Sequence, residues 1–230
     1  MNSESATYQD AVNGAGYALI PRVLTAEEVR QLIVAIEAGV ARDAAGTRGL
    51  AQRVPAVQAL AQSPAIRRCV MPLLGCQAKL VRSVLFNKDR GVNWQVSWHQ
   101  DLSIAVKQRA DTPGFSCWTV KDGTPHVQAP LDVLAAMLTV RVHLDDADDA
   151  NGALWVVPGS HVCGRLDAQG TAALLAQSDR SLCAAQAGDA LVFRPLLLHA
   201  SHKATSPRPR RVVHLEFAAA DLPAPLEWGE

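Results

Sequence analysis

The sequence predicts a mainly β fold, a double-stranded β-helix or jelly roll, with N-terminal helices packed on one face. Helical segments are confined to about the first 76 of the 230 residues. Beyond them, short segments rich in β-branched and aromatic residues are separated by Gly, Pro, Asp and Asn. Short strands with helices gathered at one end are typical of such a fold. We therefore expect one domain over residues 1–230, with a helical cover at about 1–76 and a jelly-roll core at about 77–220.

Two helices of the cover can be located from their ends. Tyr17–Ile20 is expected to be a short strand, and the following Thr25-Ala26-Glu27-Glu28 has the pattern of a capping box that starts a helix. That helix ends near Gly39. Its buried face is expected to consist of Val29, Leu32, Ile33 and Ile36. Ser63-Pro64 supplies a cap and a proline at the first position of a second helix, which Gly75 ends.

Seven strands are expected in the core, because each segment is short, apolar or alternating, and bounded by turn residues. They are Lys79–Asn87, Val96–Asp101, Met137–Leu144, Leu154–Val157, Ala190–Phe193, Leu196–Ser201 and Val212–Phe217.

Lys107–Pro130 is expected to be a long connection, since it is rich in Gly and Pro. It follows the Val96–Asp101 strand directly, so we expect it to act as a mobile lid over a site at the end of that strand. Trp118, Lys121 and His126 within it are the expected substrate contacts.

The composition excludes several classes of protein. With 22 basic and 22 acidic residues the formal net charge is zero, so no overall field attracts nucleic acid or an anionic membrane. The five cysteines include no C-x-x-C pair, which argues against a disulfide framework or a structural zinc site. The sequence has neither the pattern of a signal peptide nor an apolar stretch of membrane-spanning length, so a cytoplasmic protein is expected.

The run Trp98-His99-Gln100-Asp101 is the strongest indication of chemistry. In a strand, side chains at positions i and i+2 face the same side, so His99 and Asp101 can present an imidazole and a carboxylate to one metal. The same pair would also fit the polar face of a surface strand. His199, at the end of an apolar run, offers a third ligand, and His202 is the alternative. Two histidines and one carboxylate form the facial triad of non-heme Fe(II) oxygenases.

An arginine beyond the second histidine fits the same chemistry. Fe(II) oxygenases need a two-electron reductant, usually 2-oxoglutarate, and its distal carboxylate suits the planar, permanently charged guanidinium group. Arg210 and Arg211 begin the last expected strand. They point to opposite faces of that strand, and alternation alone does not decide which one faces the interior.

Several short motifs follow one another between about residues 98 and 217: Trp98-His99-Gln100-Asp101, Asn151-Gly152-Ala153-Leu154, Pro158-Gly159-Ser160-His161, Gly188–Phe193, and His199-Ala200-Ser201 with Arg210 beyond. In this order they resemble the phytanoyl-CoA dioxygenase family of Fe(II)/2-oxoglutarate oxygenases. The resemblance implies that the iron ligands are His99, Asp101 and His199. It also implies that Arg210 and Ser201 bind the distal carboxylate of 2-oxoglutarate, and that Asn87 reaches the other end of this molecule.

The resemblance implies a dioxygenase that uses Fe(II), 2-oxoglutarate and O2, with ascorbate as a candidate reductant. It would hydroxylate an unactivated C–H bond of a small molecule and release succinate and CO2. Retention of Asp101 favours hydroxylation, because a small residue replaces this carboxylate in related halogenases. Desaturation, epoxidation and ring closure would need the same ligands. Two other classes are open: a cupin-like metal enzyme that does not use 2-oxoglutarate, and a non-catalytic binding protein on the same fold. The sequence indicates neither the oligomeric state nor whether the substrate is linked to CoA.

Overall fold

Two antiparallel sheets pack face to face, with helices on the outer face of the larger sheet. A computed structural model describes residues 3–40, 46–88 and 93–230. Its helices are α1 Ser3–Gly14, α2 Ala26–Gly39, α3 Leu50–Arg53, α4 Pro55–Gln62, α5 Pro64–Leu74, α6 Leu131–Ala135 and α7 Ala168–Gln177. Its strands are β1 Tyr17–Ile20, β2 Gly46–Arg48, β3 Lys79–Lys88, β4 Val96–His99, β5 Ser103–Ala105, β6 Ser116–Lys121, β7 Thr124–Gln128, β8 Met137–His143, β9 Leu154–Val156, β10 Ser181–Cys183, β11 Ala190–Phe193, β12 His199–Ser201 and β13 Arg210–Ala218. The mainly β jelly-roll prediction is confirmed.

The capping signals in the sequence are used as expected. Thr25 and Glu28 form a reciprocal capping box at the start of α2. The Ser63 hydroxyl accepts a hydrogen bond from the Ile66 N–H, and Pro64 occupies the first turn of α5. The start of each helix is therefore determined by residues next to it in the sequence.

The larger sheet has the strand order β1-β11-β8-β13-β3-β2. Its outer face carries apolar side chains such as Leu85, Val140 and Leu215, which form one buried cluster with α2, α4 and α5. Because side chains alternate along a strand, the residues between them face the smaller sheet. That inner face carries an unusual set of charged and polar residues, namely Arg82, Lys88, Thr139, Arg141, His143, Arg210, His214 and Glu216.

The smaller sheet has the order β10-β9-β12-β4 and closes the barrel. Its strands β9 and β12 pack on β11, where Leu154, Val156 and Leu197 contact Leu191 and Phe193. The strand expected at Leu196–Ser201 is shorter, since only His199–Ser201 pair with β4 and β9. The prediction of strand structure for Leu196–Leu198 was therefore wrong, although these leucines are buried as an apolar run should be.

The expectation of an irregular connection at Lys107–Pro130 is also wrong. Strands β6 and β7 form a hairpin in this segment, and β5 pairs with the other side of β7. The hairpin turn is Asp122-Gly123, whose φ angles of 49° and 79° suit the two-residue turns that Asp-Gly favours. Val127 on β7 is fully buried against Ile104, Phe115 and Trp228, whereas most of β6 is exposed. The role of the segment as a lid stays a prediction.

Within the residues that the structure describes, no helix combines the length and the apolar character that a membrane crossing requires.

Ser160 fastens the turn that precedes β12. Its buried hydroxyl donates to the Val157 carbonyl at 2.7 Å and accepts from the Leu198 N–H at 2.8 Å. We expect Ser160→Ala to lower the free energy of unfolding by about 1–3 kcal/mol, because it leaves a buried N–H unsatisfied. Urea denaturation measures this. Ser116→Ala, at an exposed strand position, is the matched control and should change stability far less. Equal midpoints for the two variants would contradict the role of Ser160.

Candidate metal centre and anion pocket

His99, Asp101 and His199 come together where β4 and β12 pair. His199 is the direct antiparallel partner of His99, and the Asp101 N–H donates to the Pro195 carbonyl just beyond the strand end. The Asp101 carboxylate lies 3.6 Å from His99 Nε2 and 3.7 Å from His199 Nε2. One ligand atom from each of the three residues lies within 4.8 Å of the others. This arrangement can hold one divalent cation from a single side, which suits a facial triad.

Backbone carbonyls orient both imidazole rings. His99 Nδ1 lies 2.9 Å from the Ser97 carbonyl, and His199 Nδ1 lies 2.9 Å from the Leu197 carbonyl. A carbonyl oxygen only accepts hydrogen bonds, so each Nδ1 carries a proton, and Nε2 is the atom through which each ring would bind a metal. Both Nε2 atoms face Asp101, as metal ligands require.

Gln100 anchors the segment between the two ligands of the His-x-Asp pair. Its side-chain amide donates to the carbonyls of Gly164 and Leu196, and its oxygen accepts from the Leu166 N–H, all at 2.8 Å. Gln100 thus ties β4 to the turn before β12 from the face opposite His99 and Asp101.

The charges of the cluster suit metal binding. Burial alone would raise the pKa of Asp101. The adjacent His199 and His99 side chains lower this pKa by more than burial raises it, so the carboxyl group stays ionised. Burial lowers the pKa of His199 to about 4, although Asp101 opposes that change. At neutral pH His199 is therefore uncharged, which is the form that ligates metals.

His202, the alternative to His199, lies outside this cluster. Its side chain is 51% exposed, whereas that of His199 is 4% exposed. The His202 ring packs beside Trp155, and its Nδ1 lies 4.0 Å from the Asp149 carboxylate. In the described ranges, no second group of three His, Cys, Asp or Glu residues has a spacing suited to a metal.

Three cations are buried together on the inner face of the larger sheet. Lys88, Arg141 and Arg210 are 0%, 6% and 2% exposed, and Lys88 lies directly across from Arg210 between β3 and β13. Burial lowers the pKa of Arg210 to about 9, and Arg141 adds to the effect. Burial likewise lowers the pKa of Lys88 to about 8, with Arg210 and Arg141 contributing. The three groups therefore repel one another inside the barrel.

The group of Lys88, Arg141 and Arg210 is called the anion pocket below. Some of its N–H donors form no hydrogen bond. Neither Arg141 Nε nor Arg210 Nε has a hydrogen-bond partner. In the described part of the chain, no carboxylate forms an ion pair with any of the three cations. An unpaired buried charge is costly, so such a cluster is best explained by an anionic ligand.

Ser201 and Gly152 close the pocket around Lys88. Lys88 Nζ donates to Ser201 Oγ at 3.1 Å and to the His202 carbonyl at 2.6 Å, while Ser201 Oγ donates to the Gly152 carbonyl at 2.9 Å. Gly152 has a φ of 82°, and a Cβ built there would lie 2.8 Å from Lys88 Nζ. Ser201, which the sequence predicts as a binding residue, thus contacts the anion pocket by its hydrogen bond with Lys88.

The structure separates Arg210 from Arg211. Arg210 faces the interior, whereas Arg211 points to the helical side and forms ion pairs with Asp145 and Glu37. Arg211 is already neutralised by carboxylates, so Arg210 is the one available to a ligand.

Asn87 requires a correction. It pairs with Arg211 in the sheet, and so it shares the helical face, while its neighbour Lys88 faces the interior. The structure therefore does not bring Asn87 into the barrel interior, where either end of 2-oxoglutarate would lie, and Lys88 faces that interior instead.

Two of the three expected substrate residues lie together. Lys121 and His126 share one face of the hairpin, because His126 pairs with Thr119 and Lys121 lies two residues further on. Trp118 alternates to the other face, packs against the apolar cluster there, and has Arg109 over its ring at 5.6 Å. Trp118 is therefore not brought to the same side as Lys121 and His126.

Lys88 and Arg141 had not been singled out from the sequence. The available signal is a charged residue inside an otherwise apolar strand, as in Thr139-Val140-Arg141-Val142-His143. The His143 imidazole is buried beside this pocket with neither ring nitrogen partnered. Burial, with Arg141 and Arg210 nearby, lowers the pKa of His143 to about 3, so His143 is uncharged.

Two histidines and one carboxylate arranged in this way are typical of the non-heme Fe(II) oxygenases. The family model described as phytanoyl-CoA dioxygenase matches residues 12–212. The chain belongs to the phytanoyl-CoA dioxygenase family, which confirms the resemblance seen in its motifs. No curated protein matches the sequence significantly.

Solved structures agree with this fold. The chain is similar to the non-heme alpha-ketoglutarate-dependent carbocyclase SnoK from nogalamycin biosynthesis, with 20% identity and a TM-score of 0.71 over 96% of this chain and 85% of that one. The epimerase SnoN in complex with Fe3+, alpha-ketoglutarate and nogalamycin RO has 17% identity and a TM-score of 0.73, covering 97% and 91%. EctD from S. alaskensis, with 2-oxoglutarate and 5-hydroxyectoine, has 22% identity and a TM-score of 0.70, covering 95% and 76%.

The choice between His199 and His202 can be tested by metal binding alone. We expect His199→Ala to lose Fe(II) binding, because it removes one of three ligands, while His202→Ala binds as the unaltered protein does. Anaerobic equilibrium dialysis with Fe(II) measures this, and circular dichroism checks that both variants fold. Loss of Fe(II) binding in His202→Ala with retention in His199→Ala would reverse the assignment.

Proposed function

We propose that this protein is an Fe(II)/2-oxoglutarate-dependent oxygenase that hydroxylates a small molecule. In this proposal His99, Asp101 and His199 hold the iron, and Arg210 binds the distal carboxylate of 2-oxoglutarate. The observation that carries the proposal is the position of the triad in the same barrel interior as a buried, unpaired cation cluster. When bound, iron and 2-oxoglutarate together supply the oxidation of a C–H bond by O2, with release of succinate and CO2.

The anion pocket accounts for the recognition of a dicarboxylate. One carboxylate of 2-oxoglutarate would bind Arg210, whose fork of N–H donors matches its two oxygens. Lys88 would supply a second positive charge, and the Ser201 hydroxyl holds that ammonium in place. Arg141 faces the same interior from β8, between Arg210 and the metal side, and its pKa is lowered to about 10 by burial and raised in part by Asp101. A bound anion would relieve the repulsion among these three cations.

Aromatic and hydrogen-bonded side chains form the wall beside the triad. The Phe193 ring lies 5.2 Å from that of His199 and 6.3 Å from that of His214. His214 Nε2 lies 3.0 Å from Glu216, which also pairs with Arg82. This network fixes the buried charged side chains in their positions.

Family membership supports the oxygenase class, and relatives of this fold were solved with iron or 2-oxoglutarate bound. Hydroxylation is the finer part of the proposal, since similar structures include a carbocyclase and an epimerase. It is favoured by Asp101, whose carboxylate fills the third ligand position. The alternatives are a metal enzyme that does not use 2-oxoglutarate and a non-catalytic binder.

Turnover tests the proposal directly. The protein, reconstituted anaerobically with Fe(II) and then given 2-oxoglutarate, O2 and ascorbate, which reduces the second oxygen atom when no substrate is present, should release succinate in proportion to CO2. Asp101→Ala should keep its fold but lose this reaction, because a buried ionised ligand is removed. Asp149→Ala, at an exposed carboxylate outside the triad, is the control and should retain activity. Metal binding without any consumption of 2-oxoglutarate would favour the cupin-like alternative, and the absence of both would favour a binder.

Arg210 should determine the affinity for 2-oxoglutarate rather than for iron. Loss of a buried charge-assisted pair typically costs about 2–5 kcal/mol, so Arg210→Ala should raise the 2-oxoglutarate requirement by at least about tenfold. Iron binding should be unchanged. Arg211→Ala is the matched control, since Arg211 is engaged by Asp145 and Glu37 on the other face. Superimposable 2-oxoglutarate titrations for Arg210→Ala and the unaltered protein would exclude this role.

A further inference from the structure

We infer that the substrate is a small hydroxy- or amino-carboxylate, whose carboxylate is received by Lys121 with Arg82 and Arg48, and whose hydroxyl or amine donates to His126. This inference rests on the proposed function, because it concerns the substrate of the same site. Its evidence is a polar cavity lined by residues such as Arg48, Arg82 and His126, and by none of the three cations of the anion pocket.

The cavity lies one short strand beyond the triad. Asp101 leads into β5, and Ala105 at the end of β5 is the direct partner of His126 on β7. The cavity has a volume of about 100 Å³, and Arg48, Arg82 and His126 line it. Pockets for drug-sized ligands begin at roughly 300 Å³, so this one fits the polar end of a small substrate rather than a large carrier group.

The cavity presents donors that nothing in the described chain uses. Arg48 Nε and Arg82 Nε are buried without hydrogen-bond partners. The Lys121 ammonium has no hydrogen bond or ion pair to the residues that the structure describes, whereas exposed lysines such as Lys79 and Lys107 pair with acids. Burial lowers the pKa of Lys121, and Arg82 and Arg48 lower it further. An anion is the ligand that satisfies such a set.

Lys121 is the cation of this group that lacks a counter-ion in the described chain. Arg48 pairs with Asp122 and Arg82 pairs with Glu216, so each guanidinium is already compensated once. Glu230 accepts a hydrogen bond from Ser83 and interacts with Arg82. Lys121 is therefore the cation left for the carboxylate of a ligand.

His126 adds the requirement for a donor. Its side chain is 1% exposed, and its Nδ1 lies 3.0 Å from the Thr124 carbonyl, so Nδ1 carries a proton. Burial lowers the pKa of His126, with Arg82 and Lys121 also lowering it, so the ring is neutral. Its Nε2 then has a buried lone pair with no partner. A hydroxyl or an amine N–H on the substrate fits that lone pair.

The test uses the full chain loaded with Ni(II) and 2-oxoglutarate, so that binding is measured without turnover. The probes are small hydroxy- and amino-carboxylates, each compared by calorimetry with its primary amide and with the acid that lacks the hydroxyl or amine. At least one acid should bind about tenfold more tightly than its amide, because a charge-assisted pair is lost in the amide. Lys121→Met should remove that difference and Lys121→Arg should keep it. Lys107→Met, which changes an exposed paired lysine, is the matched control and should behave as the unaltered protein.

His126→Phe should bind the acid and its analogue without the donor equally. The inference is overturned if no acid in the panel is preferred over its amide, or if Lys121→Met keeps the preference. Its failure is distinct from that of the proposed function. If Ni(II) or 2-oxoglutarate does not bind, the proposed function fails, and the same titrations on the unloaded protein decide the carboxylate site. If both bind and acids are not preferred, only the inference fails.

Discussion

The site depends on the register in which β12 pairs with β4. Because His199 is the direct partner of His99, both imidazoles project from adjacent strands towards the same Asp101 carboxylate. A slip of one residue would turn every side chain of β12 to the other face and remove His199 from the cluster. Ser160 and Gln100 hold this register through backbone groups near the ends of the two strands. The inner face of the larger sheet, which carries the buried cations Lys88, Arg141 and Arg210, faces the smaller sheet that contains these two strands.

Burying Lys88, Arg141 and Arg210 without counter-ions reduces the stability of the ligand-free fold. The apolar cluster between the sheet and the helices compensates for this cost on the other face of the same strands. An anion that binds only the folded state restores stability by mass action, by about 2.7 kcal/mol when its concentration is 100 times its dissociation constant. Folding and anion binding would be coupled in this way, because β3, β8 and β13 carry both the three cations and the apolar side chains of the cluster.

The sequence was sufficient for the triad and for the fold class, because a His-x-Asp pair and its spacing to a later histidine are local patterns. The capping boxes and most strands are local for the same reason. Lys88 and Arg141 could not be recognised in this way, since a charge on an apolar strand gains meaning only when the opposing sheet is known. The Gly and Pro residues of this segment predict a loop, although Asp122-Gly123 is also a dipeptide that favours a two-residue hairpin turn. Asn87 is expected to face the barrel interior, but the interior residue of β3 is its neighbour Lys88. Only the pairing of Asn87 with Arg211 shows which face of the sheet it occupies.

Gly152 links the turn before β9 to the anion pocket. The Lys88 ammonium reaches Ser201 through space that any side chain at position 152 would fill, and the His202 carbonyl lies equally close to that space. The positive φ of Gly152 further penalises other residues. Position 152 must therefore adopt a positive φ angle, and it must also leave the space of a Cβ atom free for the Lys88 ammonium. Substitution of Gly152 would therefore change the conformation of this turn and the position of the Lys88 ammonium together.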